Sequence, residues 1–160
     1  MITIPQGVTV QVSGTNVSVK GPKGHVEKEF SSLVSMKNSG SEFEAEGAKA
    51  MVNTVEGIVS NMIKGVSEGY HKELKIIYAH FPISMEIKGK ELTIKNFQGE
   101  KQPRRSRIIG DTKIVVKGQS VTIDGADKHA VGQTLANMKA AMKIKDKDSR
   151  IFQDGVYEVA

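Results

Sequence analysis

The stretch VTVQVSGTNVSVKGPKG, residues 8–24, can be laid over ISMEIKGKELTIKNFQG, residues 83–99, so that the apolar positions coincide. In each copy, apolar and polar residues alternate on both sides of a short turn that contains a glycine, Gly14 in the first and Gly89 in the second. Alternation with period two around such a turn predicts a β-hairpin with one buried face. The chain therefore carries the same predicted hairpin twice.

A second pair of matching segments follows these hairpins. VSMKNSGSEFEAEG, residues 34–47, corresponds to TKIVVKGQSVTIDG, residues 112–125, and glycines match at two positions where we expect turns with positive φ. After each segment the apolar spacing changes to that of an amphipathic helix, first from Ala48 to Val66 and then from Ala130 to Met142. We expect the methionines of both stripes in the core rather than in a metal or cofactor site.

These patterns predict an α+β fold made of two tandem repeats, each an antiparallel β-sheet of four strands packed against one α-helix. The junction KELKIIYAHFP, residues 72–82, is apolar enough to be a strand of its own, which Pro82 would end or place at a sheet edge. We place the domain boundary near His71, which gives a first repeat of residues 1–71 and a second of residues 72–160.

The charge is divided unevenly between the repeats. Residues 1–80 carry 8 Lys and Arg and 8 Asp and Glu, whereas residues 81–160 carry 15 and 10, so the whole net charge of +5 belongs to the second half. A basic half joined to a neutral half favours a nucleic-acid footprint on one part of the molecule. The alternative is that the charge only keeps a small protein soluble.

The sequence offers little to catalysis or metal binding. It contains no cysteine, no HExxH, GxSxG or P-loop motif, and its four histidines lie in unlike contexts. Asp146 and Asp148 have the spacing that opens a calcium loop, but Arg150 stands where a further ligand is needed. We expect a protein without enzymatic activity, cofactor or metal. Because no run of 18 apolar residues or signal-peptide pattern occurs, we expect it to be cytoplasmic and free of membranes.

Two basic segments of the second repeat are candidates for RNA contact. In GEKQPRRSRI, residues 99–108, we expect an extended loop after Pro103 in which the candidate side chains are Lys101, Arg104, Arg105 and Arg107. A solvated loop without a ligand is the alternative. The chain after the second helix adds further candidates, Lys143, Lys145, Lys147, Arg150 and Tyr157. For Phe152 we expect a place in the core, whereas Tyr157 could pack there or stack on a base.

The duplicated hairpins, KELKIIYAHFP, NFQGEKQPRRSRI (residues 96–108) and above all KDSRIFQDGVY (residues 147–157) resemble large-subunit ribosomal protein six in its archaeal and eukaryotic form. The resemblance covers nearly the whole chain. There are two departures: Ala140 stands where the family usually has glutamine, and the chain stops at Ala160, short of the usual basic tail. From the second departure we expect a shorter RNA-contacting extension.

The resemblance implies a non-enzymatic constituent of the large ribosomal subunit. It implies that the second domain binds large-subunit ribosomal RNA around the sarcin-ricin loop, near the docking place of translation GTPases, with other ribosomal proteins as neighbours and the first domain projecting outward. Such a protein would brace RNA helices through phosphate and sugar contacts that do not read sequence. The residues alone leave another reading open, a free-standing adaptor whose first domain binds protein and whose basic half binds RNA.

Overall fold

The computed structural model describes residues 1–159, which form two compact units. One unit contains residues 1–70 together with 126–128, and the other contains residues 71–125 and the chain from His129 onward. Antiparallel sheets and one long helix recur in the two halves of the chain, so the predicted α+β fold with two tandem sheet-and-helix repeats is confirmed.

The first unit has two three-stranded antiparallel sheets and a long helix. Its elements in chain order are β1 (Ile2–Thr3), β2 (Thr9–Ser13), β3 (Asn16–Gly21), β4 (Gly24–Glu29), β5 (Ser35–Asn38), β6 (Glu42–Glu46) and α1 (Lys49–Ser67). The strand orders are β2-β3-β4 in one sheet and β1-β6-β5 in the other.

The hairpin β2-β3 has the register that the alternating sequence predicts. Val10 pairs with Val19, and both are buried, while Gly14 takes a positive φ of 63° in the turn. Helix α1 packs on β3, β4 and β6 and buries one stripe, composed of Val55, Val59, Met62, Ile63 and Val66. Together with Phe43 of β6, which is fully buried, this stripe closes the core of the unit.

The second repeat follows the same order with additional strands. Its elements are β7 (Tyr70–Ile77), β8 (Ser84–Lys88), β9 (Glu91–Lys95), a 3-10 turn (Phe97–Gly99), β10 (Arg104–Arg107), β11 (Lys113–Lys117), β12 (Ser120–Gly125), α2 (Lys128–Ala141) and β13 (Gly155–Glu158). One sheet has the order β10-β9-β8 and the other the order β11-β12-β7-β13. The strand predicted at the junction is confirmed as β7, and it ends before Pro82. Helix α2 buries Ala130, Val131, Thr134, Leu135 and Met138, as its predicted stripe requires.

The prediction of four strands in one sheet per repeat is wrong. Each repeat carries a further strand, β4 or β10, that pairs with the second strand of the first hairpin, and the strands of each repeat divide into two sheets. Strand β4 has Val26 as its one apolar residue other than glycine, and β10 has none. Edge strands are held by backbone hydrogen bonds and tolerate such polar sequences, so the pattern gave no strand signal here.

The prediction of a loop for GEKQPRRSRI, residues 99–108, is wrong for its second half. Arg104 to Arg107 form β10 and pair with β9 in register, from Arg104 opposite Ile94 to Arg107 opposite Glu91. The extended backbone expected after Pro103 is present, but strand pairing holds it rather than the proline alone.

Residues 1–159 contain neither a membrane-spanning helix nor a cluster of metal ligands. Neither helix there is long and apolar enough to cross a bilayer. Over the same residues, no three His, Asp or Glu side chains lie close enough together to hold a metal ion.

Candidate nucleic-acid interface

Strand β10 sorts its three arginines onto two faces. Side chains alternate along a strand, and Ser106 is buried, so its neighbours Arg105 and Arg107 point to the opposite, exposed face. The side chain of Arg105 is 70% exposed and its nearest carboxylate oxygen, on Glu91, is 3.8 Å away. Ion pairs this long and this exposed contribute little to stability, so the guanidinium of Arg105 is available to an anionic ligand.

Arg104 lies on the inner side and is held by several contacts. Its Nε and Nη2 donate to the two carboxylate oxygens of Glu100 at 2.8 and 2.6 Å. Its Nη1 donates to the backbone carbonyls of Ala141, at 2.9 Å, and Lys143, at 3.0 Å. The guanidinium carbon lies 4.4 Å from the ring centroid of Phe97. The RNA-binding role stays a prediction for Arg104, and these contacts give it a structural role that the sequence analysis missed.

The pKa of Glu100, the acid paired with Arg104, is also affected by Lys147 of the segment after α2. The hydrogen bonds from Arg104 lower the pKa of Glu100, and the positive charge of Lys147 lowers it further, although partial desolvation opposes both. The chain after α2 is therefore close to the start of β10, because Arg104 touches the carbonyl of Lys143 and Lys147 acts on Glu100.

The segment after α2 borders a cleft of about 590 Å³. Of the predicted site residues, Lys143, Lys147 and Tyr157 line it, together with Phe152. Lys145 and Arg150 are exposed but do not line the cleft, nor do Lys101 and the arginines of β10. Arg150 donates to Asp148 at 3.2 and 3.1 Å and lowers the pKa of that acid. The cleft has an apolar floor that includes Met142 and Val156, and its rim is basic.

The two aromatic rings at this cleft are both partly open to solvent. Phe152 is 39% exposed, so the expectation that it lies in the core is wrong. Its backbone amide donates to the carbonyl of Asp148 at 2.9 Å, which places Phe152 at the end of a turn, and the Nζ of Lys147 lies 4.9 Å from its ring centroid. Tyr157 is 46% exposed, and its hydroxyl donates to the carbonyl of Gln153 at 3.0 Å.

The family model described as "Ribosomal protein L6" matches residues 4–69 and 81–155. The chain belongs to the ribosomal protein L6 family. It is 45% identical to "Large ribosomal subunit protein uL6" of Staphylothermus marinus, over 98% of this chain and 90% of the relative. Proteins of the same description from Methanosphaera stadtmanae and Methanosarcina mazei are 46% and 44% identical over 99% of this chain and 91% and 94% of theirs.

Membership of the L6 family settles the class of protein. The family consists of structural proteins of the ribosome, so the predicted absence of enzymatic activity is confirmed, as is the resemblance to the archaeal form.

Sequence reasoning missed two groups at the cleft. Lys139 lies one helical turn before Lys143 and lines the cleft, where its Nζ lies 2.7 Å from Glu158 and, with Lys72, lowers the pKa of that acid. The spacing of four residues between the two lysines could have indicated it. Asp154 is 7% exposed and its Oδ1 accepts a hydrogen bond from the amide of Ala79 at 3.3 Å. That contact spans 75 residues and leaves no local sequence signal.

Proposed function

We propose that this chain is a constituent of the large ribosomal subunit and that residues 72–160 form its RNA-binding domain. The RNA would be large-subunit ribosomal RNA near the sarcin-ricin loop, close to where translation GTPases dock, and other ribosomal proteins would be neighbours. The observation that carries the proposal is the match along almost the full length to relatives described as large-subunit proteins.

The second half of the chain has the chemistry that such a role requires. Exposed arginine and lysine side chains can neutralise phosphates, and each neutralised phosphate releases counterions, which makes binding depend on salt. Arg105 and Arg107 stand on one face of a paired strand, so they are held at a strand spacing rather than on a mobile loop. They would fix RNA helices by backbone contacts that do not read sequence.

The cleft beside α2 adds a second mode of contact. The rings of Phe152 and Tyr157 are exposed beside Lys143 and Lys147. Aromatic rings next to cations favour unpaired bases, which stack on the ring while the cation contacts the adjoining phosphate. A single-stranded loop or bulge of the RNA is therefore the expected partner of this cleft.

A titration of the full chain with a ribosomal RNA fragment that contains the sarcin-ricin hairpin tests this proposal. We expect tight binding that weakens steeply with salt, and the Arg105→Gln, Arg107→Gln double variant should reduce the salt slope by about one to two. The matched control is Lys23→Gln, Lys28→Gln, which removes the same charge from exposed positions of the neutral first half.

The control variant should keep the affinity and the salt slope of the natural chain. An equal loss in both variants would show that only total charge matters and would remove the assignment to residues 72–160. Equal affinity for unrelated RNAs would instead favour the free-standing adaptor.

A further inference from the structure

We propose that Arg104 is a positioning residue that fixes the lysine-bearing segment after α2 and thereby supports RNA binding without contacting RNA. The proposal rests on the function proposed above for residues 72–160. The group of side chains and carbonyls involved is named the Arg104 clamp, and it comprises Phe97, Glu100, Arg104 and the carbonyls of Ala141 and Lys143.

The clamp acts at a place where a helix needs a partner. The last carbonyls of an α-helix lack intrahelical donors, and the C-terminus carries a partial negative charge. Helix α2 ends at Ala141, whose carbonyl accepts from Arg104 at 2.9 Å. The carbonyl of Lys143, already beyond the helix, accepts from the same Nη1 at 3.0 Å. One guanidinium nitrogen thus ties the end of the helix to the first residue of the basic segment.

Most of the donors of Arg104 are occupied by groups of the protein. A guanidinium has five N–H groups, and the four hydrogen bonds to Glu100, Ala141 and Lys143 use four of them. Phe97 covers one face of the group at 4.4 Å, and the side chain is 24% exposed. A phosphate could make a bidentate contact with Arg104 only by displacing the carboxylate of Glu100, whereas Arg105 on the opposite face is 70% exposed.

The other end of the clamp is anchored in the core. Phe97 is 1% exposed, and its carbonyl accepts a hydrogen bond from the amide of Glu100 at 3.0 Å. The carboxylate of Glu100 is therefore held by a turn that is packed into the sheet, and it holds the guanidinium in turn. The buried turn, the acid, the arginine and the helix end form one connected path to Lys143 and the cleft.

The Arg104→Lys substitution separates positioning from phosphate binding. Lysine keeps the positive charge and can contact a phosphate, but it cannot make the bidentate contact and reach two carbonyls together. If Arg104 positions the segment, Arg104→Lys should weaken binding of the sarcin-ricin RNA fragment by about five- to tenfold, as much as Arg104→Gln does. If Arg104 instead bound a phosphate directly, the Arg104→Lys variant should keep most of its affinity for the RNA.

A pair of acid substitutions gives a test of sign. Glu100→Ala and Glu91→Ala each remove one negative charge near β10, but Glu91 lies 3.8 Å from Arg105 and has no part in the clamp. Long-range electrostatics alone would make both variants bind RNA more tightly. We expect Glu91→Ala to bind equally or more tightly and Glu100→Ala to bind more weakly.

Hydrogen exchange of the free full chain tests the clamp without RNA. The amides of Met142 and Lys143 donate to the carbonyls of Met138 and Ala140 at 3.2 and 3.3 Å. Because the clamp holds this end of the helix, these two amides should exchange at least about tenfold faster in Arg104→Lys than in the natural chain. Unchanged exchange, tighter RNA binding by Glu100→Ala, or full affinity in Arg104→Lys would each overturn the positioning role. If the natural chain does not bind the RNA at all, the proposed function fails, and the exchange rates still decide whether Arg104 orders the segment.

Discussion

Gly65 of α1 lies so close to Ala126 that a Cβ at position 65 would come within 1.8 Å of the Ala126 carbonyl oxygen. The same added Cβ would lie 2.9 Å from the ring of Tyr70. A backbone carbonyl cannot rotate away as a flexible side-chain end can, so this position of the helix requires the absence of a side chain. The same helix contains Gly57, where a Cβ would meet nothing within 4 Å.

These two glycines give the first prediction. Gly57→Ala should raise the free energy of unfolding by about 0.5–1 kcal/mol, because alanine loses less backbone entropy in a helix. Gly65→Ala should lower it by about 2 kcal/mol or more, because the overpacking outweighs the same gain. Urea denaturation of both variants checks the difference, and two variants that shift in the same direction would contradict the close approach.

The second prediction concerns Phe152, which was expected in the core and is partly exposed. Phe152→Ala should lower the free energy of unfolding by about 1–2 kcal/mol, since the residue is 39% exposed, so that only part of its apolar surface is buried, and the variant also loses the contact with Lys147. Its affinity for the sarcin-ricin RNA fragment should fall about fivefold or more, as loss of one stacked base predicts.

Phe43→Ala is the matched control for Phe152→Ala. Phe43 is 0% exposed, and its truncation should cost about 3–5 kcal/mol. Thermal and urea denaturation measure stability, and a titration of the folded variants measures binding. A loss of stability in Phe152→Ala as large as that in Phe43→Ala would contradict the exposed position.

The repeated hairpins were predictable because their sequence and structure obey the same period. Val10 and Val19 alternate with polar residues and meet across the hairpin, so burial of one face selects the register. Strand β10 lacks such a signal, since its inward-facing residues are Arg104 and Ser106 and its two outward-facing residues are also arginines. Its strand character comes from pairing with β9, which local patterns do not encode.

The candidate site was predictable in composition but not in the role of each residue. Lys143, Lys147 and Tyr157 meet at one cleft, as their proximity in the chain allows. The contacts of Arg104 with the carbonyls of Ala141 and Lys143 span 37 and 39 residues and use backbone atoms that every residue has. Only the folded chain distinguishes Arg104 from its neighbour Arg105.

The third prediction concerns the pH dependence of stability. His71 contacts Asp124 and, at 3.3 Å, Glu73, and its pKa is raised above 6.5, first by the hydrogen bond to Asp124 and then by that to Glu73. A raised pKa in the folded state means stability that is fully present below pH 6.5 and is lost as the pH rises through the folded value. The urea midpoint of the natural chain should therefore decrease slightly above pH 6.5.

Asp124→Asn provides the control for this pH dependence. The variant removes the main cause of the shift, so an NMR titration should find the pKa of His71 closer to 6.5 and the midpoint should vary less with pH. Because the His71 side chain is 52% exposed, solvent screens the pair and the effect should be small. A His71 pKa at or below 6.5 in the natural chain would contradict the contact.

The last prediction concerns the turn that carries Glu100. Gln98 has φ 52° and ψ 30°, in the left-handed region that non-glycine residues rarely occupy, and its buried Nε2 has no hydrogen-bond partner within residues 1–159. Gln98→Gly should remove both costs and raise the free energy of unfolding by about 1 kcal/mol, although glycine adds entropy to the unfolded chain. Asn96→Gly is the matched control, because Asn96 has a similar φ of 60° but donates through Nδ2 to the carbonyl of Pro82 at 3.0 Å. Loss of that hydrogen bond should offset the relief of strain, so urea denaturation should find Asn96→Gly unchanged or less stable. A destabilised Gln98→Gly would show that the glutamine makes the turn rather than being tolerated in it.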